Sequence, residues 1–209
     1  MIRSLIGALI FLKKKSQQFV MNLKYYKIGL PTESTTGTLY LQYYASYIIA
    51  IEKRTTPKRM LPLCIMVSND TKAPTLQLLK DNKCFGLKRR QIYIITQGDG
   101  VPALIDNDAR FAIDPDDPSK IVTKPHGHGD IHALLYKNRV TKEWQEKLGI
   151  EYIVLFQDTN GLAFHTLPLM LGVSLQHGFL MNSLCVPRKA NQAIGGVTKL
   201  QNVSTGQER

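Results

Sequence analysis

The chain has 209 residues, 44% of them hydrophobic and 21% charged. That balance excludes disorder, collagen and coiled-coil arrays, and it leaves room for a sizeable core in one domain. The longest apolar run, Leu5 to Leu12, falls short of the roughly 18–20 residues of a spanning helix, so no membrane partner is expected. The formal charge of +11 is uneven: residues 1–60 carry ten Lys/Arg against two acids, which is +8 of the total. A basic head of this kind attracts phosphates in general, whether on a nucleotide or a duplex. No helix-turn-helix, zinc-finger or aromatic-basic ribonucleoprotein motif accompanies it, so no nucleic-acid partner is expected.

The chain opens on an apolar run followed by Lys13, Lys14 and Lys15, without the small-residue cleavage site of a signal peptide. Residues 1–22 are therefore read as a weakly ordered head outside the domain, with a mitochondrial or membrane address as the second reading, residues 23–200 as the domain, and residues 201–209 as a polar, frayed tail. Leu39 to Lys53 reads as a helix packed by Leu41, Tyr44, Tyr47, Ile48 and Ile51. Leu61 to Ser68, Gln91 to Thr96 and Tyr152 to Phe156 are continuous, partly β-branched apolar runs, as expected of strands buried on both faces. Thr75 to Lys80 and Thr141 to Leu148 read as helices between them. Strands alternating with helices predict an α/β fold with a mostly parallel sheet. Asn107 to Pro125, with Asp114, Asp116 and Asp117, reads as a solvent loop with a solvated acidic turn. Cys64, Cys84 and Cys185 form no Cys-x-x-Cys pair and are expected as reduced core or near-core thiols in a cytoplasmic protein.

In an open α/β sheet, ligands bind outside the carboxyl ends of the strands. Ser68-Asn69-Asp70, Gln97-Gly98-Asp99-Gly100 and Gln157-Asp158-Thr159-Asn160-Gly161 follow the three predicted strands there. Pro125-His126-Gly127-His128-Gly129-Asp130-Ile131-His132 is the densest polar stretch in the sequence. Its alternate glycines remove the β-carbons that would hold a flat ring or a phosphate off the backbone. Two other readings stand beside that one. One is a Gly-rich turn into a helix capped by Asp130. The other is a zinc hydrolase site, since His-x-His-x-Asp-His of the metallo-β-lactamase type is matched to within one residue, with Ile131 where its third ligand belongs. Asp158, with Asn160 beside it at the mouth of a predicted central strand, suits Mg²⁺, which takes one or two protein carboxylates and fills its other positions with phosphate oxygens and water; the plain alternative is a cap for a helix beginning near Phe164. Lys27, in Lys27-Ile28-Gly29-Leu30-Pro31, is placed to neutralise a polyphosphate or is simply a solvated charge.

The segments PLCIMVSNDT (Pro62 to Thr71), DNDARFAIDP (Asp106 to Pro115), TKPHGHGDIHALLY (Thr123 to Tyr136), FQDTNGL (Phe156 to Leu162) and NSLCVPRKANQAIGG (Asn182 to Gly196) resemble the UDP-sugar pyrophosphorylases of plants and protists. KIGLPTE (Lys27 to Glu33) extends the likeness upstream, and the motifs run in the same order through about two thirds of the chain. The resemblance implies a Rossmann-like nucleotide-diphosphosugar transferase fold. It also implies a cytoplasmic, monomeric enzyme that joins UTP to a sugar 1-phosphate, giving a UDP-sugar and pyrophosphate, with Mg²⁺ as cofactor. By similarity Lys27 faces the phosphates as the catalytic lysine and Asp158 holds Mg²⁺. Gln97, Gly127, His128 and Gly129 line the uridine pocket, and Asn182, Gly195 and Gly196 face the sugar phosphate. Two departures stand out. Asn22-Leu23-Lys24-Tyr25-Tyr26 precedes Lys27 where the family has a Gly-rich phosphate loop, and family members continue beyond the Gly-Gly motif. The chain is accordingly expected to be a fragment, and a catalytically inactive nucleotide-sugar-binding module is the second reading.

Overall fold

The computed structural model describes residues 9–12, 29–31, 35–55, 59–98, 100–124, 126–157, 160–187, 189–191 and 201–207. Its chain divides into two compact units, Met1–His165 and Thr166–Arg209. The first unit is built on a four-stranded sheet in the order β3-β2-β1-β6, all pairs parallel. The strands are β1 (Leu9–Leu12), β2 (Leu63–Val67), β3 (Ile92–Thr96) and β6 (Val154–Gln157).

β1 differs from the reading of residues 1–22 as a head outside the domain. It lies inside the sheet, its Leu9 in register with Leu63 on one side and Val154 on the other. Part of the apolar run that looked like a detached head is an interior parallel strand, the one setting in which an unbroken apolar segment needs no polar face. β2 is buried along its whole length, as its composition predicts.

Helix α1 (Tyr40–Arg54) buries Leu41, Tyr44, Ala45 and Ile48, a stripe at the spacing of one helical face. Tyr44 packs edge-on to Phe156 of β6, with ring centroids 5.1 Å apart. Helix α2 (Asn69–Asp81) begins six residues before its predicted start and runs through Pro74. The start is fixed by Ser68, whose N–H donates to Thr71 Oγ1 at 2.9 Å; that contact satisfies a donor at the strand-to-helix corner and outweighs the bond lost at the proline. Helices α3 (Asp130–Lys137) and α4 (Val140–Leu148) pack on each other. Their Ile131, Leu135, Val140 and Trp144 form one core cluster with Cys64 and Met66 of β2 and Ile95 of β3. Trp144 stands edge-on to Tyr93 at 5.4 Å.

Residues 101–124, expected in the main as an irregular loop, are instead an antiparallel excursion. β4 (Val101–Pro102) pairs with β5 (Thr123–Lys124), and bridges join Leu104 to Phe111 and Ile113 to Ile121. The acidic run at its tip is a turn of its own making. Asp114 Oδ1 accepts from the Asp116 N–H, and the Asp117 carboxylate accepts from Ser119 and pairs with Lys120 at 2.9 Å.

The second unit holds most of α5 (Ala163–His177), which contains Pro168. It also holds a terminal turn in which Asn202 Oδ1 accepts from the Ser204 and Thr205 N–H groups.

Candidate functional site

Because all four strands run the same way, their carboxyl ends share one edge of the sheet, and the loops after β2, β3 and β6 open there. Gln97 is the residue after β3. Its N–H donates to the Val67 carbonyl at 2.7 Å, which extends the β2 to β3 ladder and buries the side chain to 4% exposure. A primary amide so deeply placed needs partners. Its Nε2 donates to the Gly127 carbonyl and to Asp130 Oδ2, both at 2.8 Å. The sheet edge and the Gly-rich loop are thereby tied through one side chain.

Gly127 has a φ of +154°, which L side chains rarely adopt, and a β-carbon added there or at Gly129 would meet nothing within 4 Å. The backbone at these two glycines faces open space, as close approach of a flat ligand requires. His128 is half-buried between them. On the other side, a β-carbon at Gly100 would come within 3.1 Å of His126 Cε1, so this glycine lets the loop after β3 close against the loop before α3. Gln97, Gly127, His128 and Gly129 thus come together at one sheet edge.

Asp130 has a different place from the one its sequence context suggests. It is not the cap of α3; Gly129 holds that position and Asp130 is the first helical residue. Its Oδ2 accepts from Gln97 and lies 3.5 Å from His126 Nδ1. His126 was missed as a site residue and Asp130 was not expected to brace the loop; the signal for both is the buried Gln97, whose amide finds its partners in another segment. The same bond weighs against a zinc site built on Asp130, and no group of three His, Cys, Asp or Glu able to hold a metal occurs among the described residues.

Asn182, in the second unit, donates from Nδ2 to the Met170 carbonyl of α5 at 2.9 Å. Lys27, Asp158, Gly195 and Gly196 lie outside the described residues. The segment around Asp158 is delimited by the end of β6 at Gln157 and by the Asn160 N–H, which donates to the Gln157 carbonyl at 3.1 Å. β3 and β6 are the two outer strands of the sheet, so β6 is not the central strand expected, and at the usual strand spacing of about 4.8 Å the carboxyl ends of the two strands are roughly 14 Å apart.

A parallel sheet flanked by helices, with a glycine loop braced against its carboxyl edge, defines an α/β domain of the Rossmann-like nucleotide-diphosphosugar transferase fold. Solved structures agree in fold. The UDP-N-acetylglucosamine pyrophosphorylase of Trypanosoma brucei in complex with inhibitor superposes with a TM-score of 0.62 at 20% identity, over 82% of this chain and 35% of that one. For the UDP-glucose pyrophosphorylase of Leishmania major the TM-score is 0.52 at 20% identity, over 73% and 30%. The family described as UTP--glucose-1-phosphate uridylyltransferase matches residues 33–200, and the chain belongs to it. It is 47% identical to the UDP-sugar pyrophosphorylase of Oryza sativa subsp. japonica over 85% of this chain and 29% of the relative. It is 46% identical to that of Arabidopsis thaliana over 85% and 30%. The chain therefore spans about 30% of the length of the curated relatives it matches.

Proposed function

We propose that the chain carries the nucleotide-binding part of a uridylyltransferase that makes a UDP-sugar and pyrophosphate from UTP and a sugar 1-phosphate. The observation that carries this reading is the brace from Gln97 to Gly127 and Asp130, which holds a backbone free of β-carbons at the ligand edge of the sheet. The uracil ring lies against Gly127 and Gly129, with His128 beside it. In the reaction a phosphate oxygen of the sugar phosphate attacks the α-phosphorus of UTP, the bond from that phosphorus to the bridging β-oxygen breaks, and pyrophosphate leaves in line. No covalent enzyme group is needed, so the work is positioning and neutralisation of charge. Bound Mg²⁺ supplies part of that neutralisation. In this reading Asp158 holds the metal, Lys27 faces the phosphates, and Asn182, Gly195 and Gly196 face the sugar phosphate.

The same reading places the protein as a monomer in the cytoplasm; its three cysteines are unpaired, which suits a reducing compartment. The absence of glycine from Asn22 to Tyr26 favours, as a second reading, a module that binds nucleotide without turnover. Pyrophosphate release from UTP and glucose 1-phosphate separates the two.

Titration of UTP with Mg²⁺ by calorimetry tests the binding claim. A saturable heat is expected from the chain and none from Gly127→Trp, whose indole fills the open space. Equal heats from both proteins would reject the pocket. Asp158→Ala is expected to remove the Mg²⁺ dependence of UTP binding, and an unaltered dependence would reject the metal assignment.

A further inference from the structure

At the opposite edge of the same sheet a concavity opens. Its volume is about 390 Å³, and it lies between the last turn of α1, the segment entering β2, and the turn that leads into β3. β2 and β3 are five residues long, so at about 3.3 Å per residue it stands roughly 17 Å from the glycine loop.

Four cations line it: Lys53, Arg59, Lys88 and Arg90. None of the four forms an ion pair with another described residue. Lys53 has a local reason to be there, since a cation in the last turn of a helix complements its carbonyl end. That reason does not extend to Arg59, Lys88 or Arg90.

The floor is rigid and its polar groups are largely committed. Glu52 Oε1 accepts from the Leu61 N–H at 2.7 Å and from Gln91 Nε2 at 2.9 Å. Gln91, 1% exposed, also donates to the Leu61 carbonyl and accepts from the Lys88 N–H. One carboxylate, already turned to these donors, faces four cations. One lining residue, Gly86, ends a strained turn. Lys83, Cys84, Phe85 and Gly86 have φ values of 48°, 54°, 51° and 85°, a left-handed turn in which three residues carry β-carbons. Each such residue costs of order 1 kcal/mol, and strain of this kind gathers at ligand clamps. The turn brings Gly86 so near α1 that an added β-carbon would lie 3.2 Å from Ile49 Cδ1.

We propose that this cleft is a second anion site, and that it takes a compact ligand of the phosphate class with two or more negative charges. A neutral or cationic occupant leaves the cations facing one another. A multiply charged anion relieves that repulsion, and the guanidinium forks of Arg59 and Arg90 match tetrahedral oxygens two at a time. The inference stands apart from the proposed activity, because none of the residues it uses lies at the carboxyl edge.

The test is a titration of the ¹⁵N-labelled chain, without Mg²⁺, followed through the backbone amides of Gly86, Lys88 and Arg90. Inorganic pyrophosphate and glucose 1-phosphate are the two probes, and chloride at matched ionic strength is the control. Saturable shifts with either probe support the site, and the tighter probe tells whether it takes free or carried phosphate. The doubly substituted chain K88E/R90E is expected to bind about tenfold more weakly or worse, whereas Gly127→Trp should leave the shifts unchanged. Both substituted side chains are exposed, and circular dichroism checks that the variant is folded. Shifts equal to those with chloride, shifts confined to residues 126–130, or shifts that survive the charge reversal would each overturn the proposal.

Discussion

Gln97 concentrates the chemistry of the candidate site into one side chain. It is buried at the end of a strand, yet both bonds of its amide nitrogen reach a loop thirty or more residues away in sequence, at Gly127 and Asp130. An apolar substitute leaves a carbonyl and a carboxylate without that donor in a half-buried place, which costs about 1–3 kcal/mol. Gln97→Leu is therefore expected to lower the urea midpoint of unfolding by a corresponding amount and to weaken UTP binding more than it weakens stability. A midpoint equal to that of the unsubstituted chain would mean that water replaces the amide and that the loop needs no brace. Asp130 shows the limit of reading a residue from its neighbours. An acid before an apolar helical run reads as a cap, but its carboxylate was claimed by a glutamine that local context does not bring near it.

Among the elements, β1 carries the most consequence. Four residues pair on both sides, with Cys64 and Leu155 flanking Ile10 and Ile65 and Phe156 flanking Phe11. Removing a donor from the middle of such a strand breaks a ladder bond that nothing else can supply, and a proline ring has no place in a central strand. Phe11→Pro is expected to abolish the cooperative thermal transition seen by far-ultraviolet circular dichroism. A preserved transition would show that the sheet holds without this strand and that the head is dispensable. The helices were easier to anticipate. α1 and α4 fall within about a residue of their predicted limits, because an amphipathic stripe is a local pattern. α2 begins earlier than predicted because its start depends on a contact at Ser68, whose N–H donates to Thr71 Oγ1.

At the scale of the whole molecule, stability responds to pH through groups that burial holds protonated. Burial pushes the Cys64 thiol up from 9.0 to about 12. Tyr43 rises from 10.0 to about 12, first through burial and then through the Tyr47 hydroxyl beside it. Between 9 and 12 the folded chain keeps protons that the unfolded chain releases, so stability is complete below pH 9 and declines as pH climbs toward 12. The urea midpoint is expected to fall over that range, and to fall less steeply in Cys64→Ala whatever that variant's stability at pH 8. Parallel slopes for the two proteins would show that the thiol is not the group responsible. Cys185, expected in or near the core, is exposed.

What was legible from the residues alone follows from interactions of short range. Alternation of apolar strands with amphipathic helices predicts a parallel α/β sheet, and the runs around Gly127 carry the likeness to a nucleotidyltransferase family. Pairings between distant segments were beyond that reading. The place of Leu9–Leu12 between β2 and β6, the bond from Gln97 to Asp130, and the gathering of Lys53, Arg59, Lys88 and Arg90 around one cleft each join residues far apart in sequence. Such contacts have no periodicity to betray them, since they are selected by which buried backbone and amide groups remain to be satisfied once the core has closed.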